Sequence, residues 1–121
     1  MISITYDLVL KYVPDKASEV AANKLVKDAT FFNHGKNSAE NVFFADCLGS
    51  GLKPYFVSID FTVANNPIFR CNCPSRKLPC KHSIGLLIEL SNKKSSDWIV
   101  QELPENLAKK VAKKNVINKS F

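Results

Sequence analysis

Histidine and cysteine are scarce in this 121-residue chain, which has two of the first and four of the second. Three of the cysteines and one histidine nevertheless fall within residues 71–82, so their scarcity elsewhere makes that cluster conspicuous. No stretch approaches the ~18 uninterrupted apolar residues that a membrane-spanning helix needs. The opening "MISITYDLVLKYVPD" carries Asp7 and Lys11 inside its apolar run and shows neither a basic leader nor a small-residue cleavage site, which argues against a secretory signal. A cytoplasmic, reducing location is therefore expected, and there clustered cysteines point to metal binding or catalysis before disulfides. Internal repeats and low-complexity tracts are also missing. With 45% hydrophobic and 23% charged residues, the chain reads as one ordinary globular domain rather than a disordered segment or a coiled coil.

Acidic residues are the other shortage. Eleven Asp and Glu stand against 17 Lys and Arg, a net charge of +6, and no acidic residue occurs anywhere in residues 61–88. A positive balance favours an anionic partner, nucleic acid among them.

The apolar pattern divides the rest of the chain. "TYDLVLKYV" predicts a helix stopped by Pro14, and "DKASEVAANKLVKD" a second one capped by Asp15, with Val20, Ala21 and Leu25 on one stripe. Residues 29–40, "ATFFNHGKNSAE", read as a loop anchored by Phe31 and Phe32, with His34 a solvated surface residue. "NVFFADCL" and "KPYFVSIDFTV" read as strands around a Gly-Ser-Gly turn, the second alternating Tyr55, Val57, Ile59 and Phe61 on one half-buried face. "IFRCNC" continues the alternation with Phe69, Cys71 and Cys73 on one face. The following "KHSIGLLIELSN" is a helix that demands burial on nearly every side. A two-stranded hairpin cannot cover it, so the N-terminal helices are expected to complete its core. At the end, Pro104 opens a short basic helix with Leu103, Leu107 and Val111 in a stripe and Lys109, Lys110, Lys113 and Lys114 away from it. The expected fold is α+β: a small antiparallel sheet of two to three strands, a strand-strand-helix unit clipped at the cysteine-histidine cluster, and N-terminal helices packed on both. Residues 1–92 are expected to form one core, with a helical part (1–41) and a part that carries the cysteine-histidine cluster (42–92). Residues 93–121 form a linker and a basic C-terminal helix or tail.

The cluster has the spacing Cys-x-Cys, six residues, Cys-x-His. On a strand, residues two apart share a face, so Cys71 and Cys73 present both sulfurs to one point. On a helix, residues two apart lie about 200° apart, so Cys80 must precede the helix and His82 occupy its first turn. Pro74 and Pro79 keep the connection out of helix until Cys80. Cys71, Cys73, Cys80 and His82 thus make a closed Cys₃His set, favouring structural Zn²⁺ with Zn–S of about 2.3 Å and Zn–N of about 2.0 Å. An iron-sulfur or redox centre and plain buried thiols are the alternatives. Cys47, without a ligand partner in sequence, reads as a core thiol.

These residues resemble the SWIM zinc finger, whose pattern is CxC, a variable gap, then CxH on a strand-strand-helix unit. "CLGSGLKPYFVSIDF" followed by "FRCNCPSRKLPCKHSIGLL" is similar to the bacterial SWIM zinc finger proteins over about residues 42–92. It departs from them at Phe44 and Ala45, where Trp-Gly is expected, and at Asn106 and Lys110, where aromatics are usual. The resemblance implies a zinc-dependent module that binds DNA or proteins, and no enzyme. With His82 committed as a ligand, His34 is the one remaining histidine and has no neighbouring nucleophile or acid motif, which also argues against catalysis. Arg70, Arg76, Lys77 and Lys81 surround the ligands and are the candidate nucleic-acid contacts, with DNA expected before RNA. A protein partner without nucleic acid is the alternative. Neither a membrane nor a small-molecule substrate is expected.

Overall fold

Pro14 divides the N-terminal helical stretch as its ring geometry requires. In the computed structural model, which describes residues 4–49, 53–63, 65–74, 79–92 and 94–111, helix α1 (Tyr6–Tyr12) ends at Val13, held extended at ψ 127° by the proline that follows. Asp15 then caps α2 (Lys16–Lys27). Its Oδ1 accepts the Ser18 N–H at 2.7 Å, a bond typically worth about 1 kcal/mol. The Tyr6 hydroxyl donates to Glu19 Oε2 at 2.7 Å and accepts from Asn23 Nδ2 at 2.9 Å, which ties the two helices together. Helix α2 closes through Ala29 at φ 55°: the Thr30 N–H returns to the Leu25 carbonyl and the Ala29 N–H to the Val26 carbonyl. This cap usually takes glycine.

Residues 29–40 are not the loop their composition suggests. They contain β1 (Phe31–Lys36), which pairs antiparallel with β2 (Val42–Cys47). The register runs Phe31↔Cys47 and Phe32↔Asp46, then resumes at Gly35↔Phe44, so Asn33 and His34 together face the single Ala45. This is a β-bulge, and Asn33 absorbs it at φ 54°, a conformation that asparagine tolerates. One extra residue inverts the alternation, so that Phe31 and His34 share a face. His34 is therefore not a solvated surface residue: its Nε2 meets Glu89 Oε1 at 2.7 Å and its ring lies 4.7 Å from that of Trp98.

Strands β3 (Tyr55–Asp60) and β4 (Ile68–Cys71) continue the antiparallel meander, and the two-residue β5 (Ile99–Val100) joins β1 in parallel. The sheet has five strands in the order β4-β3-β2-β1-β5, larger than the two to three expected, within the same α+β class. The excess comes from β1, disguised by its bulge, and from β5, too short to carry a period.

Both faces of the sheet are covered. On one face α1, α2 and α3 (Lys81–Ser91) share a core with the strands, drawing Val9, Ala22, Phe31, Val57, Ile59 and Leu87 into one cluster. On the other, Leu107 and Val111 of α4 (residues 105–111), with Leu103, pack on Val42, Phe44 and Phe56. Strand β3 is accordingly buried on both faces over its second half, Ser58 and Asp60 included. Helix α3 is buried from His82 through Leu90 without a break. At about 1.5–3 kcal/mol per fully buried aliphatic side chain, Ile84, Leu86, Leu87, Ile88 and Leu90 make it a principal source of stability. Gly85 sets its depth, because a Cβ there would lie 2.8 Å from Phe31 Cζ.

Candidate metal centre

The metal group is assembled where β4 stops and α3 starts. Strand β4 pairs with β3 through Val57↔Cys71 and ends there. Beyond it, Asn72 takes over the edge of β3: its Oδ1 accepts the Phe56 N–H at 2.9 Å and its own N–H reaches the Phe56 carbonyl at 3.4 Å. Cys73 thus lies just past the strand rather than within it, a correction to the purely strand-borne Cys-x-Cys. A side chain, not continued backbone pairing, carries the chain to the second sulfur. At the other end Cys80 is the N-cap of α3, extended at ψ 171°, and its carbonyl accepts the first helical bond from Ile84 N–H at 3.0 Å. His82 follows in the first turn, as the angular argument demands.

The four ligand atoms lie within 4.8 Å of one another. The His82 Nδ1 stands 3.9 Å from Cys71 Sγ and 3.8 Å from Cys80 Sγ. A tetrahedral zinc with ordinary bond lengths gives S···N edges of about 3.5 Å and S···S edges of about 3.8 Å, so the two His82–sulfur pairs already stand near the spacing the ion needs. Burial is graded: Cys80 and His82 are buried, while Cys71 and Cys73 are partly exposed at the rim. Tyr55 stands against the His82 ring at 4.9 Å and fixes its plane.

Electrostatics makes the same demand. A hydrogen bond from the Cys71 thiol holds Cys80 down at about 3, against its burial and with help from His82 and the Ser83 N–H. The same bond to Cys80, then burial, pushes the Cys71 thiol far above its usual range. One of the two adjacent sulfurs is therefore a thiolate and the other keeps its proton, and a divalent ion that displaces that proton would hold both as thiolates. Three sulfurs and one imidazole fill the tetrahedron, so the centre is a closed structural zinc site in which zinc fixes β4 to α3.

Cys47 is fully buried on β2, with its Sγ 3.8 Å from Thr30 Oγ1, and burial pushes its thiol upward. It stands apart from the metal group. Of the candidate nucleic-acid contacts, Lys81 is exposed at the first position of α3. Arg70 lies on β4 with its Nη1 3.3 Å from Oδ2 of the fully buried Asp60, a partner that the sequence argument did not include. Arg76 and Lys77 lie outside the described residues. Sequence reasoning also missed the His34–Glu89 pair, which spans 55 positions, and a trough of about 640 Å³ beside the zinc ligands. The trough runs between α2 and the segment at Cys73 and Pro74, with Tyr55 and Lys81 among its lining residues.

Residues 55–91, from the first residue of β3 to the last of α3, match the family model of the SWIM zinc finger. Neither the comparison with curated proteins nor that with solved structures gives a match. No helix among the described residues is long and apolar enough to cross a membrane.

Proposed function

Taking residues 55–91 as a SWIM zinc finger, we propose that this zinc-clipped unit is a non-catalytic, cytoplasmic module that binds nucleic acid, DNA in preference to RNA. The observation that carries the reading is electrostatic. Residues 61–88 contain no carboxylate, and the two carboxylates that bound this interval, Asp60 and Glu89, are buried and turned inward on Arg70 and His34. The surface of the finger therefore offers Lys81 without an acidic neighbour from its own segment. Arg76 and Lys77 add to that field by sequence. Arg70, already engaged by Asp60, serves the fold first and phosphate second.

The test is a titration of the zinc-loaded chain with labelled DNA across about 50 to 200 mM salt. Each phosphate contact contributes about 0.9 to the slope of log K against log salt. Replacing Arg76, Lys77 and Lys81 together by alanine is expected to weaken binding and reduce that slope by about 2 to 3. Absence of binding to any nucleic acid at low salt would overturn the reading. A protein partner is the second reading, favoured by the exposed apolar Leu10 and Val20 on α1 and α2. Capture of a partner that survives nuclease treatment and high salt would select it.

A further inference from the structure

We propose that the trough beside the zinc centre seats an unpaired nucleotide, which makes single-stranded nucleic acid the preferred ligand of this surface. The inference rests on the nucleic-acid reading above and names the occupant. At about 640 Å³ the trough has room for a small ligand; it is open to solvent, and Cys73, Cys80 and His82 form part of its floor. Its α2 wall carries the short Ala17, Ser18 and Ala21, which let a flat body lie close to the helix, and closes at Leu25.

Tyr55 supplies an aromatic surface there, and its ring packs on His82, whose Nδ1 faces the Cys71 and Cys80 sulfurs. The platform is therefore fixed before any ligand arrives, which spares the cost of ordering it on binding. Lys81 is the one formally charged residue lining the trough among the described residues, it is exposed, and no carboxylate lines the trough with it. A slot with one aromatic wall and a cation at its mouth complements a flat, stackable ring attached to an anion. A nucleotide has that shape and charge. In duplex DNA the base faces are stacked on their neighbours, whereas an unpaired base is free to stack on a protein ring.

The experiment compares a fluorescein-labelled oligothymidylate with a duplex of equal length, bound by the zinc-loaded full chain at low salt. Ala17→Phe fills the trough from an exposed position on α2, with zinc content measured as for the second variant. Tyr55→Leu removes the platform, with zinc content and melting temperature measured on the same sample. The single strand is expected to bind at least tenfold more tightly than the duplex. Either variant should weaken the single strand about tenfold, the size of one lost base stack, and Ala17→Phe should do so while leaving duplex affinity unchanged. Equal or tighter duplex binding that is indifferent to Ala17→Phe would overturn the trough proposal and leave the nucleic-acid reading standing. Loss of all nucleic-acid binding in the unmodified chain would overturn both. Displacement of the oligothymidylate by polyglutamate at matched charge would also overturn the proposal, since the surface would then answer to any polyanion.

Discussion

At the first turn of α3 the neighbours are sulfurs, two of them partly exposed, while two turns further on Glu89 meets His34 and Trp98 inside a nearly closed shell. The strands beneath repeat the contrast. Every residue of β4 is only half-buried, whereas β2 buries all but Asp46. An edge strand of four residues followed by a proline-bounded connection has too little apolar surface to hold itself, and zinc supplies what packing there does not. At the other end, Phe43, His34 and Trp98 stack in tilted and edge-on contacts, and Lys36 reaches both Glu40 and the Ser95 carbonyl, so no ion is needed. One helix is thus secured by coordination at its start and by packing toward its end.

Metal removal should break this contrast most severely. Structural zinc sites of this kind have apparent binding energies of about 10–16 kcal/mol, so chelation is expected to unfold the finger. Circular dichroism and melting will show it, and fluorescence of Trp98, the chain's one tryptophan, will show how far the loss spreads. Cys80→Ser or His82→Ala should reproduce the loss, and an unchanged melting curve after complete zinc removal would refute the structural role. Next comes the packed middle of the helix. Leu87→Ala removes a fully buried side chain and should cost about 2–5 kcal/mol in denaturant titration, a loss that excess zinc does not restore.

A smaller effect is expected where Glu89 meets His34. His34→Ala strips the buried carboxylate of that hydrogen bond and should cost about 1–3 kcal/mol, while adding Glu89→Leu should recover much of it. A double-mutant cycle with no coupling would show that the packed end rests on Trp98 and the apolar residues instead. The smallest change should leave the contrast intact: Ala29→Gly relieves the left-handed cap of α2 and is expected to stabilise by about 0.5–1 kcal/mol. Additivity of this gain with the His34→Ala loss in the zinc-loaded chain would confirm that the cap is independent of the packed end of α3.

What could be read in advance follows the same division. The four ligands, the break at Pro14, the Asp15 cap and the wholly buried α3 are local features, written in spacing and in residue chemistry. The missed features depend on partners distant in sequence. The bulge at Asn33 and His34 removes the period that would have announced β1, and its meaning appears only once Glu89 and Trp98 are beside it. β5 is two exposed apolar residues that acquire a strand identity only from β1. Likewise, nothing near Arg70 in the sequence marks Asp60 as its partner, because the pairing is made across the β3–β4 ladder.

Gly85 facing Phe31 has a further consequence. A helix that is apolar on nearly all sides is indifferent to rotation about its own axis, since many settings would bury similar area. Each residue of slip turns such a helix by about 100°. Cys80 and His82 remove that freedom, because only one angular setting brings the imidazole to the sulfurs, and in that setting the notch at Gly85 lies over the Phe31 ring. The zinc ligands therefore act as an index mark for the whole helix. Moving Gly85 one position along α3, with every ligand kept, should disrupt the core and, because binding is coupled to folding, weaken zinc binding without touching a ligand.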